Sequence, residues 1–284
     1  MEQQLKDLRE LKYYEVNRNN PIIMKLEVSE NLKLFHYTDK NGIEGILNSK
    51  NFWVTHSNYL DDVTEIKYMS FVLVGVIKYL IDQREDYDMG IDGQFYVYEA
   101  IIKTLKALCK IFESGAPISG GSLFLLSLSE DADNDYLKEH YCKHDGGILG
   151  FKNDIRNMFQ IIGSNDLITF CAKVKYDLGL QMTLLLEDIN EFYAELLTNL
   201  IHQEESVDYL ELIEEIKSVI FNKIIHYSLF FKHHKYCGEK EYRVVFLVGE
   251  DDRKSVKIRM RYGKNVPYIE VKFNEESLIY TKYI

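Results

Sequence analysis

Between Glu241 and Phe273 the chain runs through "EYRVVFLV", "SVKIRMRY" and "YIEVKF", with turns at Gly249-Glu250-Asp251 and Gly263-Lys264-Asn265. β-Branched and aromatic residues between glycine-bearing turns predict three successive strands, a closing meander. That ending cannot continue a regular strand–helix alternation, so a doubly wound parallel sheet is excluded. Earlier segments mix both kinds of element. Leu32 to Tyr37, Phe52 to Thr55, "SLFLLSLS", "ILGF" and "LITFCAKVKY" read as strands. Helices are expected around Leu5 to Tyr14, over Gly42 to Ser49, from the capping acids Asp61 and Asp62 to about Ile81, and over Tyr96 to Phe112. The stretch from Glu187 to Phe231 is helical too, apolar at Leu210, Ile213, Ile216 and Ile220. Strands early, in the middle and late, with helices set between them, make an α+β chain.

Three prolines and 16 glycines in 284 residues leave little material for a linker. The expectation is one domain over 1–284, with helical insertions at about 63–113 and 187–231. Lys+Arg 34 against Asp+Glu 45 gives a net charge of −11, which excludes coating nucleic acid by bulk charge but not a local basic groove. Cys109, Cys142, Cys171 and Cys237 form no CxxC pair, and "MEQQLKDLRE" has no signal-peptide pattern, so a reduced, cytoplasmic setting is expected. The most apolar run, Met69 to Ile81, holds Lys78 and is too short for a bilayer, so no membrane partner is expected.

Three stretches carry chemistry. In "LFHYTDK", His36, Tyr37 and Thr38 stand where a strand hands over to a helix, a common place for a ligand, although a half-buried, hydrogen-bonded histidine is the plain alternative. In "KYCGEKEYRVVF", Glu239, Glu241 and Arg243 are spaced two apart and are expected on one face of a strand. There they would form an ion-paired strand end, a wet edge or a site lining. In "LFLLSLSED", Ser127 and Ser129 share a strand face, either serving a site or completing cross-strand hydrogen bonds. His140-x-Cys142-x-His144 splays its residues and has no spaced partner set, so no metal is expected.

Taken in order, "FHYTDKNGIEGILNSKNFWVTHSNYLDDVTE", "LSLSEDADNDYLKEHYCKHDGGILGF" and "FKHHKYCGEKEYRVVF" with "IRMRYGKNVPYIEV" resemble the bacterial domain-of-unknown-function family 2971. The same order of parts resembles the ADP-ribosyltransferase superfamily. The resemblance covers most of 33–273 and implies a split mixed or antiparallel β-sheet core around NAD, which is the substrate. It implies that His36 holds the ribose beside nicotinamide, with the Tyr37 backbone near the nicotinamide amide and Thr38 binding NAD at the same strand end. Ser127 and Ser129 would support the pocket, and Tyr141 would stack on the nicotinamide. Glu241 would be the catalytic carboxylate, and Glu239 would select or activate the acceptor. Arg243 and Lys232 would keep the glutamates ionised or meet the phosphates. It implies further a toxin-like effector of a toxin–antitoxin or phage-defence system, with a nucleic acid or protein as acceptor and an antitoxin protein as partner. NAD glycohydrolase and a non-catalytic nucleotide-binding module are the alternatives.

Overall fold

The computed structural model of the chain describes residue 26 and residues 33–60, 64–87, 90–91, 93–115, 123–143, 145–152, 159–161, 168–202, 208–261 and 263–284. The expected helix at Leu5 to Tyr14, the acids Asp61 and Asp62, and His144 lie outside them. The chain divides into two compact units, one of Met1–Asp62, Ser119–Val174 and Lys235–Ile284, the other of Val63–Ile118 and Lys175–His234. The first holds every described strand. The segments expected as insertions both fall in the second.

The first unit is a curled, antiparallel sheet: β1 (Lys33–Thr38), β2 (Asn51–His56), β3 (Leu123–Ser129), β4 (Gly147–Lys152), β5 (Phe159–Ile161), β6 (Ile168–Lys173), β7 (Glu241–Leu247), β8 (Lys257–Arg261), β9 (Lys264–Phe273) and β10 (Leu278–Tyr283). Its main path runs β10-β4-β1-β3-β2-β9-β5, while β7 lies between β3 and β6 and β8 pairs only with β9. Helix α1 (Lys40–Ser49) follows β1, capped by Asp39, whose carboxylate accepts the Gly42 N–H at 2.9 Å.

The expected closing meander is corrected here, because β7 does not pair with β8. Every residue of β7 is buried, and a strand covered on both faces needs a partner on each edge, which β3 and β6 supply. β8, with Ile258 and Met260 exposed, stays at the margin. Two strands gave no usable signal. β5 is three residues long, and β10 is mostly exposed, with no buried stripe in its sequence.

One edge of β3 is shared. Near its start it pairs with β2 (Thr55 opposite Leu125, His56 opposite Phe124), and at its end with β1 (Phe35 opposite Ser129). Between these pairings β1 and β2 part, so the sheet splits beside Ser127. The core fills the inner face, with Phe124, Leu126 and Leu128 of β3 alternating inward against Tyr242, Val244 and Phe246 of β7. Leu34, Phe52 and Phe151 close it from the other strands, each such side chain contributing about 1.5–3 kcal/mol by leaving water.

Among the described residues the second unit holds four long helices: α2 (Thr64–Asp82), α3 (Gln94–Ser114), α4 (Leu178–His202) and α5 (Tyr209–Phe230). Ile101, Leu105, Leu108 and Phe112 are buried on α3 as their spacing predicts. On α5, Ile216 and Ile220 are buried but Leu210 is 78% exposed, so the apolar stripe begins later than expected. α4 begins nine residues before Glu187, because Asp177 caps it by accepting the Leu180 N–H at 2.7 Å. Among the described residues no helix is long and apolar enough to cross a membrane.

Candidate functional site

Strand register brings together residues more than a hundred positions apart. Ser129 stands opposite Glu241 and Ser127 opposite Arg243, so all four side chains share the outer face of the sheet. Glu241 is buried. Its Oε1 accepts from the Ser127 hydroxyl at 2.6 Å and from Arg243 Nε at 2.7 Å, while Oε2 accepts from Arg243 Nη2 at 2.8 Å. The planar guanidinium meets the carboxylate in a two-pronged fork, which fixes the carboxylate's orientation as well as its charge partner. Of the alternatives open in the sequence, the ion-paired strand end is realised. It is buried rather than at a wet edge.

Glu239 departs from its expected place. It ends a 3-10 turn, His234–Glu239, and Lys240 with φ at +45° breaks the strand alternation before β7 begins. Glu239 and Glu241 are therefore not neighbours on one strand face. The Glu239 carbonyl accepts from the buried Ser129 hydroxyl at 2.9 Å, so Ser129 pins the turn that delivers Glu241.

His36 approaches from the other side. Phe35 shares the outer face with Ser129, so His36 points to the inner face, where its ring meets Phe52 edge-on at 5.1 Å. Its Nδ1 lies 3.3 Å from the Ser127 carbonyl. A carbonyl only accepts, so Nδ1 carries the proton, and Nε2 of the neutral ring is an acceptor. Burial pulls the imidazole down to about 4, and the Ser127 bond opposes this only in part. Ser127 thus joins the imidazole, through its carbonyl, to the carboxylate, through its hydroxyl. His36 and Glu241 converge on one serine from opposite faces of one sheet.

The other residues divide by role. Tyr37 is buried, its hydroxyl donating to the Asp131 carbonyl at 2.5 Å and accepting the Asn134 N–H at 3.0 Å, and burial pushes it up to about 12. Its side chain props the loop after β3. Thr38 ends β1, half-buried, opposite Gly147. Tyr141 is 45% exposed on the π-helical turn Lys138–Cys142, whose Cys142 packs with Tyr37. Lys232 belongs to the second unit, where its carbonyl accepts from Gln181 Nε2 at 3.0 Å. Asn134 was not singled out in the sequence, yet its amide donates to the Gly238 carbonyl at 2.7 Å and ties the loop after β3 to the turn before β7. Its place three residues before Leu137, whose N–H its side chain caps, was the available signal.

β3 is buried at every position except Ser127. Solvent therefore reaches the strand where the sheet splits, at the residue that touches both His36 and Glu241. A scan against models of known families and searches of curated proteins and of solved structures return no match, so the resemblance rests on the motifs.

Proposed function

We propose that the chain is an NAD-dependent ADP-ribosyltransferase whose site opens at the split beside Ser127, acting as a toxin-like effector on a macromolecular acceptor. The observation that carries this reading is the exposed Ser127 in an otherwise buried strand, bonded to both His36 and Glu241. Cleaving the glycosidic bond of NAD builds positive charge on the ribose. A carboxylate already oriented by Ser127 and Arg243 can stabilise that charge without reorganising. A neutral His36 can accept a bond from a ribose hydroxyl without repelling the cation. Glu239, Ser129, Tyr37 and Thr38 shape the surroundings, Tyr141 stands on the turn before β4, and an antitoxin protein is the expected partner.

Labelled NAD tests it. Label transferred to RNA, DNA or protein supports transfer, and release of ADP-ribose supports the glycohydrolase form of the same chemistry. Glu241→Gln should lower either activity by at least a hundredfold while circular dichroism stays unchanged. Intact NAD after prolonged incubation would refute catalysis.

A second reading, a non-catalytic nucleotide-binding module, is favoured by one observation. The Arg243 fork engages both oxygens of Glu241, and His36 points to the opposite face. Calorimetric binding of NAD without turnover would select it.

A further inference from the structure

We propose that the outer face of the β8–β9 hairpin, with Trp53 of β2, binds single-stranded nucleic acid. Lys257 stands opposite Tyr268, Arg259 opposite Val266 and Arg261 opposite Lys264, so the three cations of "KIRMR" point to one face and Ile258 and Met260 to the other. Trp53 stands opposite Glu270 and Thr55 opposite Tyr268, which puts Trp53, Tyr268 and the three cations on the same face. Lys272, opposite Asn51, extends it. A chain of net charge −11 therefore concentrates cations on one strip, where Glu270, paired to Lys257 at 2.8 Å, is the acid of the register.

The strip is aromatic as well as basic. Trp53 is 51% exposed, its ring 5.0 Å from that of Tyr268, and the Arg259 guanidinium lies 5.8 Å from the first and 5.4 Å from the second. Arg259 is held there by donating to Thr55 Oγ1 at 2.8 Å. A fixed guanidinium beside an exposed indole offers stacking to a base, while the exposed lysines meet phosphates. An anionic membrane would use exposed apolar side chains beside the charge, but Ile258 and Met260 face away from it. The Arg261 charge is also felt at Asp39, just beyond β1, although the Gly42 N–H is the main reason that carboxyl is held low. Binding at this face does not need the transferase reading. Its use to present an acceptor rests on that reading.

Trp53 is the single tryptophan of the chain, so its fluorescence reports this face directly. The full chain carrying Glu241→Gln is titrated with twelve-nucleotide RNA, the DNA of the same sequence, its duplex, and anionic phospholipid vesicles, following tryptophan emission and oligonucleotide anisotropy together. The expected result is saturable quenching by RNA, DNA or both, with the stronger arm naming the sugar. Trp53→Phe should keep binding within about threefold and Trp53→Ala weaken it about tenfold or more. Lys264→Gln and Lys272→Gln should each lower the log–log salt slope by about 0.7. Anisotropy change without quenching, binding to vesicles or duplex in preference to single strands, or no binding at low salt would each overturn the proposal. Quenching, set beside NAD left intact by the unsubstituted chain, would retire the transferase reading and leave this one standing, and NAD turnover by the unsubstituted chain without quenching would do the reverse.

Discussion

Arg243 and Glu241 are both shut away from water, so each depends on the other for its charge. Replacing Arg243 with Met leaves the carboxylate buried beside an apolar stem and should cost about 3–5 kcal/mol. Ser127→Ala removes one hydrogen bond to the same oxygen and should cost about 1–2 kcal/mol. Glu241→Leu combined with Arg243→Met should recover most of the larger loss, since no charge is then stranded. Urea denaturation of the three variants checks the order. His36 gives a pH signature. Its folded value of about 4 lies below the 6.5 of an unfolded imidazole, so as pH falls the unfolded chain takes the proton first. Stability should therefore fall between about pH 6.5 and pH 4, by at most roughly 3 kcal/mol for a half-buried ring. His36→Gln should flatten that window. Asp39 and Asp131 are held below the ordinary carboxyl value of 3.8, Asp39 first by the Gly42 N–H and Asp131 first by Lys240, so their losses come at lower pH. Denaturation midpoints measured across the range separate the two.

At the scale of elements, the turns into and out of the site carry backbone strain. The π-helical turn Lys138–Cys142 ends at Lys143 with φ +58° and ψ −122°, a conformation that only glycine adopts without steric cost. Its ammonium meets Asp39 at 3.2 Å, but both side chains are well exposed, so that pair is worth little. Lys143→Gly should therefore stabilise the protein by about 1 kcal/mol, read as a rise in thermal midpoint. Gly147 opposes this tolerance. A Cβ there would lie 2.6 Å from the Lys282 carbonyl of β10, and backbone cannot swing aside as a side chain can. Gly147→Ala should cost about 2 kcal/mol and raise amide exchange along β10 and β4. Lys240 shows how such turns govern chemistry. Its positive φ takes Glu239 off the strand and leaves Glu241 as the first residue of β7.

For the whole molecule, charge is the simplest handle. Its isoelectric point near 5.3 places minimum solubility at about that pH, with turbidity falling on either side. The local basic strip on the β8–β9 hairpin does not alter that sum, because net charge adds over the surface while recognition depends on which side chains share a face. That distinction also separates what was legible in the chain from what was not. Strand and helix periods depend on neighbours two to four residues apart, so β1, α1, β3 and α3 could be read directly, whereas β9 begins at Lys264, inside the expected turn. Caps at a distance were weaker signals, and α4 began earlier than its apolar pattern because of Asp177. Sheet neighbours depend on contacts across the whole chain. The linear sequence placed β7 beside β8, whereas burial on both faces sent it between β3 and β6. His36, Ser127 and Glu241 were nameable as residues with chemistry, but local pattern carries no register between residues 91 and 114 positions apart. Sequence alone determined an α+β chain with an acidic balance and a short set of reactive side chains. Tertiary pairing decided that a single serine would hold the imidazole on one face and the carboxylate on the other, because only hydrogen bonding between distant strands sets which side chains align.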